Sequence, residues 1–230
     1  MSPDLRLANV QAYDRWAPAY PPVPHNALMR AEQQAMLALW PDAAGANALD
    51  LACGTGRYAR LLEERGAAFV VSTDLSAGML AHAGASRRVR ADMMQLPFAS
   101  ESFDIVVSGL AVGHAPRLES WMREVARVLA PGGVLLYSDF HAEAARAGMT
   151  RSFVDAHERK HTLVHCNYDL PAHRAAAASA GLRLQAVHEV RVGDELREAF
   201  DGSDAFYSRW AGLPVVLVLR ASKADPDVDR

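Results

Sequence analysis

From Leu49 to Gly56 the chain runs Leu-Asp-Leu-Ala-Cys-Gly-Thr-Gly, an apolar run carrying one acid and ending in a glycine-rich turn. A helix-like segment, Arg57 to Glu64, follows at once. Glycines at such a turn let the backbone approach a ligand with no Cβ in the way. The free N–H groups at the start of the following helix favour an anionic or polar group. The stretch therefore demands a strand–turn–helix unit and points to a nucleoside-bearing cofactor.

The rest of the sequence supplies the sheet that such a unit needs. Strand-like runs alternate with helix-like ones, the pattern of an α/β fold with a parallel sheet covered on both faces. Helices are expected at Leu28 to Trp40, Ala77 to Ala83 (capped by Ser76), Leu118 to Leu129 and Pro171 to Ala180. Strands are expected at Ala48 to Ala52, Ala68 to Thr73, Arg88 to Arg90, Phe103 to Ser108 and Val134 to Phe140, the last entered by a tight turn at Pro131-Gly132-Gly133. Two further strands, Leu182 to Val192 and Leu213 to Ala221, close the fold, and the residues after Ser222 read as a frayed tail. Residues 141–170 break the pattern as a polar, histidine-rich insertion.

The 230 residues are expected to form a single domain, half apolar and 22% charged, with a formal net charge of −3. That balance gives no sign of a nucleic-acid-binding surface. Cys53 and Cys166 have no metal-ligand spacing and suggest a reducing compartment. No membrane span or signal peptide is evident, so a cytoplasmic location is expected.

Gly54-Thr55-Gly56-Arg57-Tyr58-Ala59 also fits the loose dinucleotide fingerprint, a weak match by itself. The acids that follow discriminate. Asp74 ends the second strand, where a carboxylate can accept from both ribose hydroxyls of an adenosine. Asp92 follows the third strand and can accept from an adenine amino group, with Met93 alongside. A dinucleotide needs only the first acid; an adenosine bound alone across successive strand ends accounts for both.

With Tyr13-Asp14-Arg15-Trp16-Ala17-Pro18-Ala19-Tyr20, Asp50-Leu51-Ala52-Cys53-Gly54-Thr55-Gly56, Asp74, Asp92-Met93, Leu96-Pro97-Phe98, Phe103-Asp104 and Leu129-Ala130-Pro131-Gly132-Gly133 in this order, the chain resembles the class I S-adenosylmethionine-dependent methyltransferases. The likeness is to their small-molecule group, which includes the ubiquinone/menaquinone and malonyl-carrier-protein methyltransferases. The resemblance implies a Rossmann-like, doubly wound, seven-stranded sheet with an antiparallel last strand. It also implies a helical N-terminal lid within residues 1–45, carrying Tyr13 and Tyr20, and a substrate cap at 141–170. The implied cofactor is S-adenosylmethionine, leaving as S-adenosylhomocysteine. Gly54 and Gly56 would approach its methionine part with Asp50 orienting the loop; Asp74 would hold the ribose. Leu75 and Met79 would pack on the adenine, Asp92 and Met93 would read its edge, and Ser108 would line the floor near the sulfonium. Asp50 also suits a purely loop-fixing role, and Met79 a core role. Pro21 and Pro22 stand where the family often has an acid, which departs from the lid pattern.

On the acceptor side, His114, Tyr137 and His141 are candidate catalytic residues near the ends of the fourth and fifth strands. Arg146, Arg151, His157 and His165 of the insertion are candidate substrate contacts, and a basic roof suggests an anionic acceptor. A malonyl-carrier-protein carboxyl O-methyltransferase is the specific alternative, with the small molecule carried on a protein. Readings of a different class are an NAD(P)-dependent oxidoreductase and a non-catalytic cofactor-binding module. His157-Glu158-Arg159-Lys160-His161 spells the zinc-peptidase H-E-x-x-H, and His165 would continue its stripe on a helix. The intervening Arg and Lys and the early third histidine argue against a metal site, and none is expected.

Overall fold

The computed structural model describes residues 3–84, 87–155, 159–200 and 204–225. In chain order, α1 (Pro3–Trp16) and α2 (Ala27–Ala38) precede β1 (Asn47–Leu51). Next come α3 (Arg57–Glu64), β2 (Phe69–Asp74), α4 (Ala77–His82), β3 (Arg88–Arg90), β4 (Phe103–Ser108), α5 (Leu118–Val128) and β5 (Leu129–Phe140). The chain then forms α6 (Ala142–Arg146), a ribbon of β6 (Ser152–Val154) and β7 (Lys160–Thr162), α7 (Leu170–Ser179), β8 (Leu182–Arg191), α8 (Asp204–Trp210) and β9 (Pro214–Lys223).

The main sheet has seven strands in the order β3-β2-β1-β4-β5-β9-β8. The pairings among β1 to β5 are parallel, and β9 runs antiparallel to both of its neighbours. This is the expected doubly wound sheet with an antiparallel last strand. The alternation of side chains along each strand divides its residues between two cores. Ala48, Ile105, Val107, Leu136, Val216 and Val218 pack with Met36 of α2 and with Ala59 and Leu62 of α3. Their neighbours Leu49, Val106, Leu135, Leu217 and Leu219 pack on the opposite face against Trp121, Met122 and Val125 of α5. Strand order reverses between β1 and β4, so a crevice opens beyond their carboxyl ends, where open α/β sheets bind ligands.

Local chemistry fixes the helix ends. Asn26, Ser76 and Asp169 each accept a backbone N–H of the first turn of α2, α4 and α7, respectively. Three expectations need correction. Pro131-Gly132-Gly133 lies within β5 as an irregularity, because the pairing jumps from Phe103 opposite Leu129 to Ile105 opposite Val134. The chain does not fray at Ser222, since β9 continues to Lys223, whose Nζ donates to the Leu129 carbonyl at 2.8 Å. Residues 226–230 of that tail lie outside the described residues. The insertion has its own structure, with α6 followed by the antiparallel ribbon. Among the described residues, no helix is long and apolar enough to cross a membrane.

Leu136 is fully buried at the centre of the first core. Leu136→Ala should destabilise the fold by about 2–5 kcal/mol in urea denaturation, through lost burial and a residual cavity. A loss under about 1 kcal/mol, within the range of ordinary surface changes, would contradict this account of the core.

Candidate active site

The end of β1 passes into a turn of three left-handed residues, Ala52 (φ 56°), Gly54 (φ 55°) and Gly56 (φ 80°), before α3 begins. A Cβ at Gly54 would meet nothing within 4 Å, so this part of the turn faces open space. Asp74, at the end of β2, clamps the turn from the side. Its Oδ2 accepts the Gly54 N–H and its Oδ1 the Ser76 N–H, both at 2.9 Å. Each carboxylate oxygen retains a further lone pair. Burial raises the Asp74 pKa despite these backbone donors. Asp50 lies beneath the turn, with Oδ2 accepting the Ala59 N–H at 2.8 Å. Its Oδ1 is buried without a partner, and burial pushes the carboxyl up to about 7.

A cavity of about 280 Å³ opens over the turn. Tyr13, Tyr20, Asp50, Gly54, Asp74, Leu75, Met79 and Met93 line it, as do His114 and Arg151. The structure thus brings most of the expected cofactor residues to one surface. Three are set back from it. Ser108 is fully buried and donates to the Leu51 carbonyl at 2.9 Å, bracing β4 against β1. Gly56 is turned toward Ala83 and Gly84, where α4 ends. Asp92 accepts the Met94 N–H at 2.8 Å, and Met93 between them reaches the cavity.

The acceptor-side expectations change more. Tyr137 lies in the second core beneath Trp121 and is paired with His173 Nδ1 at 3.1 Å, because odd positions of β5 face α5. His141 is buried at the N-terminus of α6, where Nδ1 accepts the Glu143 N–H; it does not line the cavity. Arg146 is exposed on α6 and paired with Asp169. His165 packs its ring edge against Phe140 outside the cavity lining, and burial lowers its pKa. His157 lies outside the described residues. Of the H-E-x-x-H match, Glu158 also lies outside the described residues, and His161 sits in β7 with Nε2 2.8 Å from Asp155.

His114 and Arg151 remain at the cavity. His114 follows β4 on a short turn and has both ring nitrogens engaged, Nδ1 by Asn9 at 3.2 Å and Nε2 by Tyr13 at 3.0 Å. Burial, reinforced by the charge of Arg151, lowers its pKa to about 3. Arg151 leads into β6 and donates to the Leu110 carbonyl at 2.7 Å. Among the described residues no ion pair neutralises it. The other cavity arginine, Arg57, is held by Glu32 at 2.7 Å.

Several contributors lay outside the sequence expectations. Fully buried Glu32 accepts from Arg57, from the Tyr58 hydroxyl at 2.7 Å and from Ser138 Oγ at 2.6 Å. Its signal was an acid on the same helical face as Met29 and Met36. Asp14 of α1 accepts from Ser76 Oγ and from the Gly78 N–H, tying α1 to α4. Trp16 stacks on Phe153 of β6 with ring centroids 4.3 Å apart. The helix therefore joins the glycine-turn side of the cavity to the insertion.

A family model described as a methyltransferase domain matches residues 49–137, which run from β1 through β5. The malonyl-[acyl-carrier protein] O-methyltransferase of Serratia marcescens is 32% identical over 191 residues, covering 81% of this chain and 72% of that protein. The chain belongs to the methyltransferases. The enzyme of the same name from Enterobacter lignolyticus is 38% identical over 148 residues, 63% of this chain, and the match spans 58% of that relative's length. An S-adenosylmethionine-dependent methyltransferase structure from Mesorhizobium loti superposes with a TM-score of 0.67 at 26% identity, covering 84% of this chain and 98% of that one. S-Adenosylmethionine is the cofactor of this methyltransferase family. The cavity suits it: the Gly54 turn faces open space, and an unpartnered buried carboxylate oxygen of Asp50 matches a cationic ligand.

The lowered pKa of His114 has a testable consequence. Stability drawn from keeping this imidazole neutral is fully present above about pH 6.5 and is lost as pH falls toward 3, because the unfolded chain takes up the proton first. The stability difference between the wild type and His114→Phe should therefore shift steadily against the wild type from pH 7 to pH 4 in urea titrations. A difference independent of pH would show that His114 protonates normally in the fold.

Proposed function

We propose that this chain transfers a methyl group from S-adenosylmethionine to a small acceptor whose carboxylate is held by Arg151. A carrier-bound malonyl thioester is the acceptor suggested by the names of its relatives. The observation behind this reading is the Arg151 guanidinium, which lines the same cavity as the Gly54 turn without an ion-pair partner among the described residues. Gly54, Asp74, Leu75, Met79 and Met93 would hold the cofactor, with Asp50 facing its cationic part. When bound, the cofactor supplies a methyl group already activated on a sulfonium, so transfer is an in-line displacement.

The remaining groups are suited to orientation more than to proton removal. A carboxylate acceptor is nucleophilic without a base. His114 has no free lone pair, and burial keeps Tyr13 and Tyr20 protonated, Tyr20 at about 12. Arg151 would fix the acceptor while α1 and the ribbon keep water from the site, the positioning work that such a transfer needs. Methylation converts the carboxylate to a neutral ester and so removes the charge that Arg151 grips, which favours release. A nicotinamide-dependent oxidoreductase is set aside by the family assignment.

Methyl transfer to malonyl-acyl-carrier protein, followed with a labelled donor, tests this directly. Arg151→Gln should raise the acceptor KM about tenfold to a hundredfold, the range expected for a lost hydrogen bond to a charged group, and leave S-adenosylhomocysteine binding unchanged. If the variant instead loses S-adenosylhomocysteine and keeps its acceptor KM, Arg151 grips the cofactor's own carboxylate and the acceptor assignment fails. An absence of methyl transfer from the wild type to any carboxylate acceptor would overturn the carboxylate assignment.

A further inference from the structure

The side-chain amide of Asn9 has a fixed orientation. Its Nδ2 donates to the Val164 carbonyl at 2.5 Å, and its Oδ1 accepts the Val164 N–H at 3.2 Å. Reversing the amide would set oxygen against oxygen and N–H against N–H, so the two ends of one backbone residue decide the assignment. His114 Nδ1 lies 3.2 Å from that Nδ2 and near the Val164 carbonyl; because an Nδ1–H would face the Asn9 N–H, and the carbonyl already accepts from Nδ2 at 2.5 Å, Nδ1 is assigned as the accepting nitrogen. In the neutral ring the proton consequently resides on Nε2. Nε2–H donates to the Tyr13 oxygen at 3.0 Å. Tyr13 accepts this bond, and its own hydroxyl proton has no acceptor among the described residues. Tyr13 lines the cavity together with Arg151.

The same contact positions Arg151. The Leu163 N–H, adjacent to Val164, donates to the Arg151 carbonyl at 2.8 Å. Asn9 therefore docks α1 onto the backbone step that places the arginine.

We infer that Asn9 and His114 are positioning residues that turn the Tyr13 hydroxyl into a hydrogen-bond donor facing the cavity, where with Arg151 it completes a site for a carboxylate. This deepens the proposed function and rests on its reading of Arg151 as the anion-holding group. In this arrangement His114 serves as a wedge with a defined donor and a defined acceptor, and it moves no proton during transfer. Arg151, Tyr13 and His114 all line the one cavity, so the guanidinium and the relay share a surface.

Nitrogen- and carbon-detected NMR of the histidine rings in the full-length protein reads the tautomer without any substrate. His114 should be the neutral Nε2–H form from pH 5 to pH 8, in the wild type and in Tyr13→Phe, and should lose that single form in Asn9→Ala. An Nδ1–H ring in the wild type, or a tautomer unaffected by Asn9→Ala, would overturn the relay.

Malonate serves as the anion probe, titrated calorimetrically into protein saturated with S-adenosylhomocysteine. Tyr13→Phe should weaken malonate binding about tenfold, as for loss of one hydrogen bond to a charged group, and Asn9→Ala should weaken it comparably. The double variant should be no weaker than Tyr13→Phe alone, since the two changes remove one shared interaction. Additive losses would contradict the relay even if Asn9→Ala loosens α1. His114→Phe, which keeps a ring in place, should repeat the non-additivity with Tyr13→Phe. Malonate binding that is unchanged in Arg151→Gln would defeat the anion-site reading by itself, with the tautomer measurement deciding the relay separately.

Discussion

The Asp74 carboxylate is the contact on which the rest of the site depends. One oxygen holds the Gly54 N–H and the other the Ser76 N–H, so a single partly buried acid ties the β1 turn to the start of α4. Both bonds lie at the carboxyl ends of neighbouring parallel strands, where the sheet cannot supply its own partners. The turn needs this support because it strings together left-handed residues, one of them the non-glycine Ala52. With the turn held open, its face has no side chain in the way, and the cavity above it is a consequence of the backbone.

A second layer of polar contacts closes that cavity. Asp14 repeats the logic of Asp74 one step outward, accepting from Ser76 and Gly78 and seating α1 on α4. Gly78 permits the approach, since a Cβ there would lie 3.0 Å from the Asp14 Cα. At its other side α1 reaches the insertion through Asn9 and Trp16. The buried Glu32 performs a parallel task below, satisfying Arg57, Tyr58 and Ser138 together and so avoiding an unpaired buried charge. The two cavity arginines thus differ in kind: Arg57 is committed to Glu32, and Arg151 has no ion-pair partner among the described residues.

Much of the sheet was legible because its central strands are buried on both faces. Phe103–Ser108 has the bounds that its apolar run and flanking turns suggested, and the short edge strand Arg88–Arg90 also lies where it was expected. The placement of Gly54, Asp74, Leu75, Met79 and Met93 at one surface was also legible, since strand-end positions in a parallel sheet converge. Burial direction was harder to read. Tyr137 looks like a reactive group beside a strand end, yet the two-residue period of β5 turns it into the α5 core. His141 spends its Nδ1 on a helix cap and Ser108 its hydroxyl on a strand brace. The ribbon of the insertion was missed because its two short strands pair only with each other, outside the strand–helix alternation that located the equally short Arg88–Arg90. Asn9 escaped notice for a different reason: its partners, Val164 and His114, are more than a hundred residues away in the chain.

The central claim is that the turn held by Asp74 carries the adenosine of S-adenosylmethionine. Calorimetric titration of S-adenosylhomocysteine into the wild type and Asp74→Ala tests it most directly. Clear binding to the wild type is expected, with no competition from NAD, and with loss of binding in a variant that still melts cooperatively. Equal affinity in a folded Asp74→Ala protein, or displacement of S-adenosylhomocysteine by NAD, would contradict it.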